Sequence, residues 1–111
     1  MGVPYIGVQQ IKKKIYVFDS SGVLGKGWTV YGSRKYYANV KGEITRGFKT
    51  IDGKTYFFND YGSMHTGWLQ RFSGWYYLNE DGTMATGWKV VNGKWYYFDN
   101  AGWMVTGWKQ V

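Results

Sequence analysis

Glycine recurs at 7, 27, 47, 67, 87 and 107, and no other feature limits the fold as much as that unbroken spacing of twenty. A second glycine column runs through 22, 42, 62, 82 and 102, and tyrosine stands at 16, 36, 56, 76 and 96. Columns that hold register over five copies without insertion or deletion identify a repeat protein. Stacked short units bury apolar surface between neighbours, so the 111 residues set a number of units rather than the size of one core. Continuous helix is excluded, because glycine at this frequency weakens every turn it would sit in. Disorder is excluded too, since aromatics make up 22% of the residues and proline occurs once.

The copies are 7–26, 27–46, 47–66, 67–86 and 87–106, after an N-terminal stub at 1–6 and before a partial copy at 107–111. Counted within a copy, positions 9 to 12 read IYVF, KYYA, TYFF, WYYL and WYYF, which is strand composition. Positions 13 to 16 read DSSG, NVKG, NDYG, NEDG and DNAG, the pattern of a type I turn closed by a glycine at positive φ. Positions 17 to 20 are read as a short return strand, with Leu24, Ile44, Met64, Met84 and Met104 at position 18. The fold class expected is all-β, a β-solenoid of stacked β-hairpins, because an isolated hairpin is marginal in water.

Alternation along a strand separates two faces. Positions 10 and 12 carry the five tyrosines with Phe18, Ala38, Phe58, Leu78 and Phe98, and nothing charged, so this face is expected to be the core. Position 9 carries Ile15, Lys35, Thr55, Trp75 and Trp95. An interior does not exchange Trp for Lys, so position 9 is expected to face outward. Position 2 carries Val8, Trp28, Phe48, Trp68, Trp88 and, in the partial copy, Trp108. Only the fourth and fifth copies hold tryptophan at both places, as Trp68/Trp75 and Trp88/Trp95. With an outward tyrosine of the next copy such as Tyr97, two indoles form an open aromatic box suited to quaternary ammonium. Aromatic platforms also stack on sugar rings, and both Trp columns have a plain reading as packing residues between hairpins.

Other chemistry finds little support. There is no cysteine, hence no disulfide or thiolate site. His65 is the single histidine, with Gly25, Thr45, Ala85 and Val105 at its place in the other copies. No acid pair or nucleophile–base pair recurs, so neither an enzyme nor a metal or cofactor site is expected. No apolar run reaches the roughly 20 residues that span a bilayer, and the start lacks the basic and apolar regions of a signal peptide. The chain reads as a module cut from a longer protein, with Met1 supplied for expression.

The net charge of +7 is uneven, with +3 in each of the first two copies. Its bland reading is a solvated face in which Lys12, Lys13 and Lys14 guard a strand edge. Its sharper reading is attraction to a polyanion such as teichoic acid, nucleic acid or anionic lipid.

The stretches GW-x₆-WYYLNEDGTMATGW (67–88) and GWKVVNGKWYYFDNAGWMVTGW (87–108) resemble the choline-binding, or cell-wall-binding, repeats of Gram-positive surface proteins and phage lysins. The likeness extends over residues 7–111, specific in the last two copies and looser before them. It implies a left-handed solenoid in which choline or phosphocholine of teichoic acid binds between consecutive hairpins. It implies a cage of Trp68, Trp75 and Tyr97 with Met84 nearby, and a second using Trp88 and Trp95. It further implies a non-catalytic anchor that is extracellular at the bacterial surface, or phage-encoded and acting on the cell wall. The same units resemble the glucan-binding repeats of glucosyltransferases and the carbohydrate-binding tails of clostridial toxins, which leaves a cell-wall glycan as the alternative ligand. A structural spacer or a homodimer through the C-terminal end is the third reading, because exposed aromatics also drive self-association. Nucleic acid is not among the partners expected. The pairs Val8/Ile15, Trp28/Lys35 and Phe48/Thr55 depart from the pattern, so those junctions are expected to bind choline poorly.

Overall fold

The computed structural model describes residues 5–72 and 74–105. Among them are ten strands: β1 (Gly7–Ile11), β2 (Lys14–Phe18), β3 (Gly27–Tyr31), β4 (Arg34–Ala38), β5 (Gly47–Ile51), β6 (Lys54–Phe58), β7 (Gly67–Arg71), β8 (Gly74–Leu78), β9 (Gly87–Val91) and β10 (Lys94–Phe98). They pair consecutively as five two-stranded sheets, and no helix occurs among the described residues. The chain forms two compact units, residues 1–49 with 57–64, and residues 50–56 with 65–111.

The expected placing of the hairpin turn is corrected. Strands span positions 1–5 and 8–12 of each copy, so the tight turn lies at positions 6 and 7 rather than 13 to 16. In the first copy the register runs Gly7↔Phe18 to Ile11↔Lys14, and in the fifth Phe98↔Gly87 to Lys94↔Val91. Asn92-Gly93 (φ 50° and 80°) and Asp52-Gly53 (φ 52° and 81°) have the paired positive φ of a type I′ turn, whose twist matches the strands it joins. The same place in the first copy is Lys12-Lys13, at φ 50° and 70°.

Positions 13 to 16 do form a turn, after the hairpin. Gly22 donates to the Asp19 carbonyl and Gly102 to the Asp99 carbonyl, both at 2.9 Å. The Asp19 carboxylate also accepts from the Ser21 and Val23 amides, as Asp99 does from those of Ala101 and Trp103. The return segment is a single bridge instead of a strand, Phe18↔Leu24 in the first copy and Phe98↔Met104 in the fifth.

Copies are joined through the main chain of that bridge residue. Ile44 donates to the Ile15 carbonyl (2.9 Å) and Met64 to that of Lys35 (2.8 Å) in the first unit; Met84 donates to Thr55 and Met104 to Trp75, both at 2.8 Å, in the second. In each case position 18 of one copy reaches position 9 of the copy before it.

Stacking covers a hairpin from the side of its neighbour as well as from its own return segment, and this corrects the expectation of one core face and one outward face. Tyr36, Ala38, Tyr76, Leu78 and Phe98 are buried as the 10/12 face predicts. In the first copy the opposite face is the buried one, with Ile15 and Val17 packed against Tyr36, Ala38 and Ile44 of the second. In the third copy Phe57 and Phe58 are both buried. Within each unit the 9/11 face of one hairpin thus receives the 10/12 face of the next, and position 9 is exposed where its neighbour leaves room.

The second glycine column follows from the same contact. The position-18 side chain lies on the glycine of the next copy's turn: Leu24 on Gly42, Ile44 on Gly62, Met84 on Gly102. Ends of adjacent copies are matched in other ways too. Lys14 and Lys41 help hold the Glu43 carboxyl below its ordinary range, after the larger effect of the Asn39 hydrogen bond. Gly74 makes room for the Trp103 indole, which packs 4.9 Å from the Tyr76 ring.

An added Cβ on Gly42 would stand 2.6 Å from Leu24 Cδ2 at φ +82°, whereas Gly27 at φ +68° faces open space. Urea unfolding is expected to show Gly42→Ala destabilising by about 2–5 kcal/mol, from backbone strain plus overpacking. Gly27→Ala should cost about 1–2 kcal/mol from strain alone. Equal losses would contradict the close approach between copies.

Candidate functional site

The junction of the fourth and fifth copies lies wholly within the second unit and leaves a cavity of about 290 Å³ lined by Trp68, Trp75, Tyr96 and Met104. Trp68 stands on β7 opposite Tyr77 of β8, and Trp75 is two residues before Tyr77, so both indoles emerge on one face. Their rings are 6.0 Å apart and nearly perpendicular at 89°. The Tyr96 ring, from the next hairpin, stands 4.8 Å from Trp68 at 75°. Phe98 supports Trp68 from below at 6.0 Å, and Tyr77 flanks it at 5.1 Å. The hydrogen bond that the Met104 amide donates to the Trp75 carbonyl fixes the fourth wall.

Two site residues expected from the sequence lie elsewhere. Tyr97 is opposite Trp88 on its own hairpin, 5.1 Å away, and belongs to the following face. The third ring is Tyr96, because the 10/12 face of one copy packs on the Trp face of the copy before. Met84 lies over Gly102, and the methionine at the cavity is Met104, since position 18 reaches back by one copy. Trp68 and Trp75 stand together as expected, and so do Trp88 and Trp95, at 6.2 Å and 82°. That second pair is 55% and 60% exposed, against 38% for Trp75.

No carboxylate, ammonium or guanidinium lines the cavity. Its attraction for a cation therefore comes from ring faces and a polarisable thioether, a combination that favours a weakly hydrated cation. A larger hollow of about 560 Å³ lies at the turn end of the same two copies, lined by Tyr77, Asn79, Glu80, Asp81, Lys89, Val90, Val91 and Asn92. There Lys89 Nζ already stands 5.8 Å from the Tyr77 ring centroid, which disfavours a second cation. The turn beside it is atypical. Asp81 accepts from the Thr83 amide and hydroxyl, which hold its carboxyl below the ordinary range, and the buried Asn79 Oδ1 is left without a partner.

In the first unit the counterparts of Trp75, Tyr96 and Met104 are Ile15, Tyr36 and Ile44, and these pack as a closed apolar cluster. At the next junction Trp28 keeps aromatic company, 5.3 Å from Tyr37 and 5.9 Å from Phe58, while Lys35 takes the place of the second indole. His65 Nε2 donates to the Trp68 carbonyl at 2.8 Å, so the one histidine steadies the cage strand. Among the described residues no group of three or more His, Cys, Asp or Glu could hold a metal ion, and no helix is long and apolar enough to cross a membrane.

The family described as the choline-binding repeat matches residues 45–86 and 85–110. Among solved structures the chain is similar to choline-binding protein F of Streptococcus pneumoniae in the presence of a peptidoglycan analogue, at 36% identity and a TM-score of 0.88, covering 96% of this chain and 36% of that one. It is similar to CbpJ of Streptococcus pneumoniae TIGR4 at 39% identity and TM-score 0.84, covering 91% and 35%. A third likeness is to the modular autolysin LytC of Streptococcus pneumoniae, at 31% identity and TM-score 0.68, covering 88% and 24%. The chain thus spans about a third or less of the length of these proteins. Among curated proteins no match is found. The likenesses agree with the all-β hairpin solenoid expected from the repeats.

Tyr96→Ala and Tyr97→Ala separate the observed cage from the expected one. With tetramethylammonium as probe, read on the indole resonances of Trp68 and Trp75, Tyr96→Ala should weaken the response by roughly 2–30-fold, one ring's cation–π contribution. Tyr97→Ala should leave those two resonances titrating as before.

Proposed function

The chain belongs to the choline-binding repeat family, and on that footing we propose that its cage takes the quaternary ammonium of choline or phosphocholine carried by teichoic acid. The observation that carries this reading is three ring faces and a thioether around a cavity with no charged lining. The role is attachment: the module holds a larger protein at the Gram-positive cell surface, or directs a phage-encoded one to the wall, while any chemistry belongs to other parts of that protein.

Energetics fit a tandem design. Three rings at roughly 0.5–2 kcal/mol each, less the cost of association, give about millimolar affinity for a single choline. Useful retention then comes from several weak contacts along one polymer, where each bound group raises the effective concentration of the next. The closed Ile15–Tyr36–Ile44 cluster takes no ligand, so binding concentrates in the second unit.

A second reading rests on the exposure of Trp88, Trp95 and Tyr97. An open aromatic face of this kind suits stacking on a sugar ring of a wall glycan, or on its counterpart in a second copy of the chain through the C-terminal end.

Choline titrated against tryptophan fluorescence should give saturable quenching or enhancement in the millimolar range. Trp75→Ala, which truncates a side chain 38% exposed, should weaken it roughly 10-fold while leaving the thermal transition in place. Silence towards choline at tens of millimolar, with a response to a glucan oligosaccharide, would transfer the site to the glycan reading. Molecular mass that rises with protein concentration, and falls back in Trp95→Ala, would identify the dimer.

A further inference from the structure

We propose, on the footing that the cage takes a quaternary ammonium, that Trp103 is its positioning residue. Seated in the gap left by Gly74, the Trp103 indole holds Trp75 in place from the opposite face of β8. Trp103 is not part of the cavity lining, so it acts on a ligand only through Trp75 and Met104.

Trp75 stands between Gly74 and Tyr76 on β8, and successive strand residues point to opposite faces. Trp75 looks into the cavity, so Gly74 and Tyr76 look away from it. The Trp103 indole lies against both of them. A Cβ on Gly74 would fall on its Cζ3 and Cε3, and its ring stands 4.9 Å from that of Tyr76. Phe72, at the hairpin tip, flanks the indole at 6.4 Å. One residue on, the Met104 amide donates to the Trp75 carbonyl at 2.8 Å, and its side chain lines the cavity. Residues 103 and 104 thus grip β8 at Trp75 on both faces and at the main chain.

The grip answers a local weakness. Glycine within a strand has no side chain to pack, and Gly74 comes immediately before the cage indole. The tip ahead of it is strained as well, with the bulky Phe72 at φ 64°. In the other copies position 8 is Lys14, Arg34, Lys54 and Lys94, and position 17 is Val23, Glu43, Ser63 and Thr83. Position 17 of one copy meets position 8 of the copy before it, and at the first junction this sets Lys14 within charge reach of Glu43. The Gly74/Trp103 combination replaces that polar meeting at the junction whose cavity is walled by two tryptophans.

Variants of the intact chain are followed by amide hydrogen exchange without ligand, and by tetramethylammonium titration on the Trp68 and Trp75 indole resonances. Trp103→Thr installs the residue that stands at this place as Thr83 in the copy before. It should speed exchange of the Met104 amide roughly tenfold or more and leave that of Met84, which bonds to Thr55, unchanged. It should also weaken tetramethylammonium binding roughly 2–30-fold, the contribution of one ring no longer held in place. Trp103→Phe keeps a ring beside Gly74 and should recover most of that affinity. Gly74→Ala should weaken binding as Trp103→Thr does, because its methyl meets the indole, yet add nothing in a Trp103→Thr background. A Trp103 that only stabilises the fold would lower the melting temperature and leave the titration unchanged. That result, unchanged Met104 exchange, or additive losses in the double variant would each overturn the proposal. A parent chain silent towards tetramethylammonium would instead sink the choline reading, while faster Met104 exchange in Trp103→Thr would still uphold the grip on β8.

Discussion

One main-chain hydrogen bond organises the molecule: the amide of position 18 donates to the carbonyl of position 9 in the copy before it. It recurs from Ile44 to Ile15, Met64 to Lys35, Met84 to Thr55 and Met104 to Trp75. Because it uses only the backbone, it makes no demand on the position-9 side chain beyond fitting its neighbour. Isoleucine, lysine, threonine and tryptophan all occupy that place without disturbing the spacing of the hairpins. The scaffold has therefore separated the atom that stacks the copies from the atoms that meet a ligand.

The same bond fixes what a junction can be. It brings position 10 of one copy over position 9 of the previous one, so the identity of residue 9 sets the outcome. Ile15 lets Tyr36 and Ile44 close on it and seals the space. Trp75 holds Tyr96 and Met104 apart around a cavity. A single geometry thus yields a packed core or a receptor according to one side chain, consistent with an aromatic pair in only two of five copies.

Much of this was legible in the sequence. The glycine and tyrosine columns set the copy boundaries and the all-β class, and Lys35 beside Trp75 and Trp95 at one position pointed to exposure there. The hairpin turn is masked in the sequence: Asp52-Gly53 and Asn92-Gly93 carry its signature in two copies, whereas Asp or Asn followed three residues on by Gly recurs at positions 13 to 16 of all five. Alternation reveals two faces but not which neighbour covers each, so the sequence points to Tyr97 where Tyr96 lines the cavity. Burial of Ile15 is hidden for the same reason: in a stack, a face turned from its own core can be the floor of the next. The Gly74–Trp103 fit left only a faint trace, a lone glycine in a column of Lys and Arg.

That fit bears on how such an array can change over time. Tryptophan 103 seats itself only where the preceding copy offers no side chain at the start of its second strand, and Gly74 alone among the five does so. Loss of the fourth copy would set the indole against Lys54, and shuffling the order would misplace it elsewhere. Copies that look interchangeable by their glycines are in fact addressed, so duplication or deletion near this junction changes the ligand site and breaks a steric key at once. The fourth and fifth copies therefore work only as a pair, each supplying a part that the other's side chains are cut to receive.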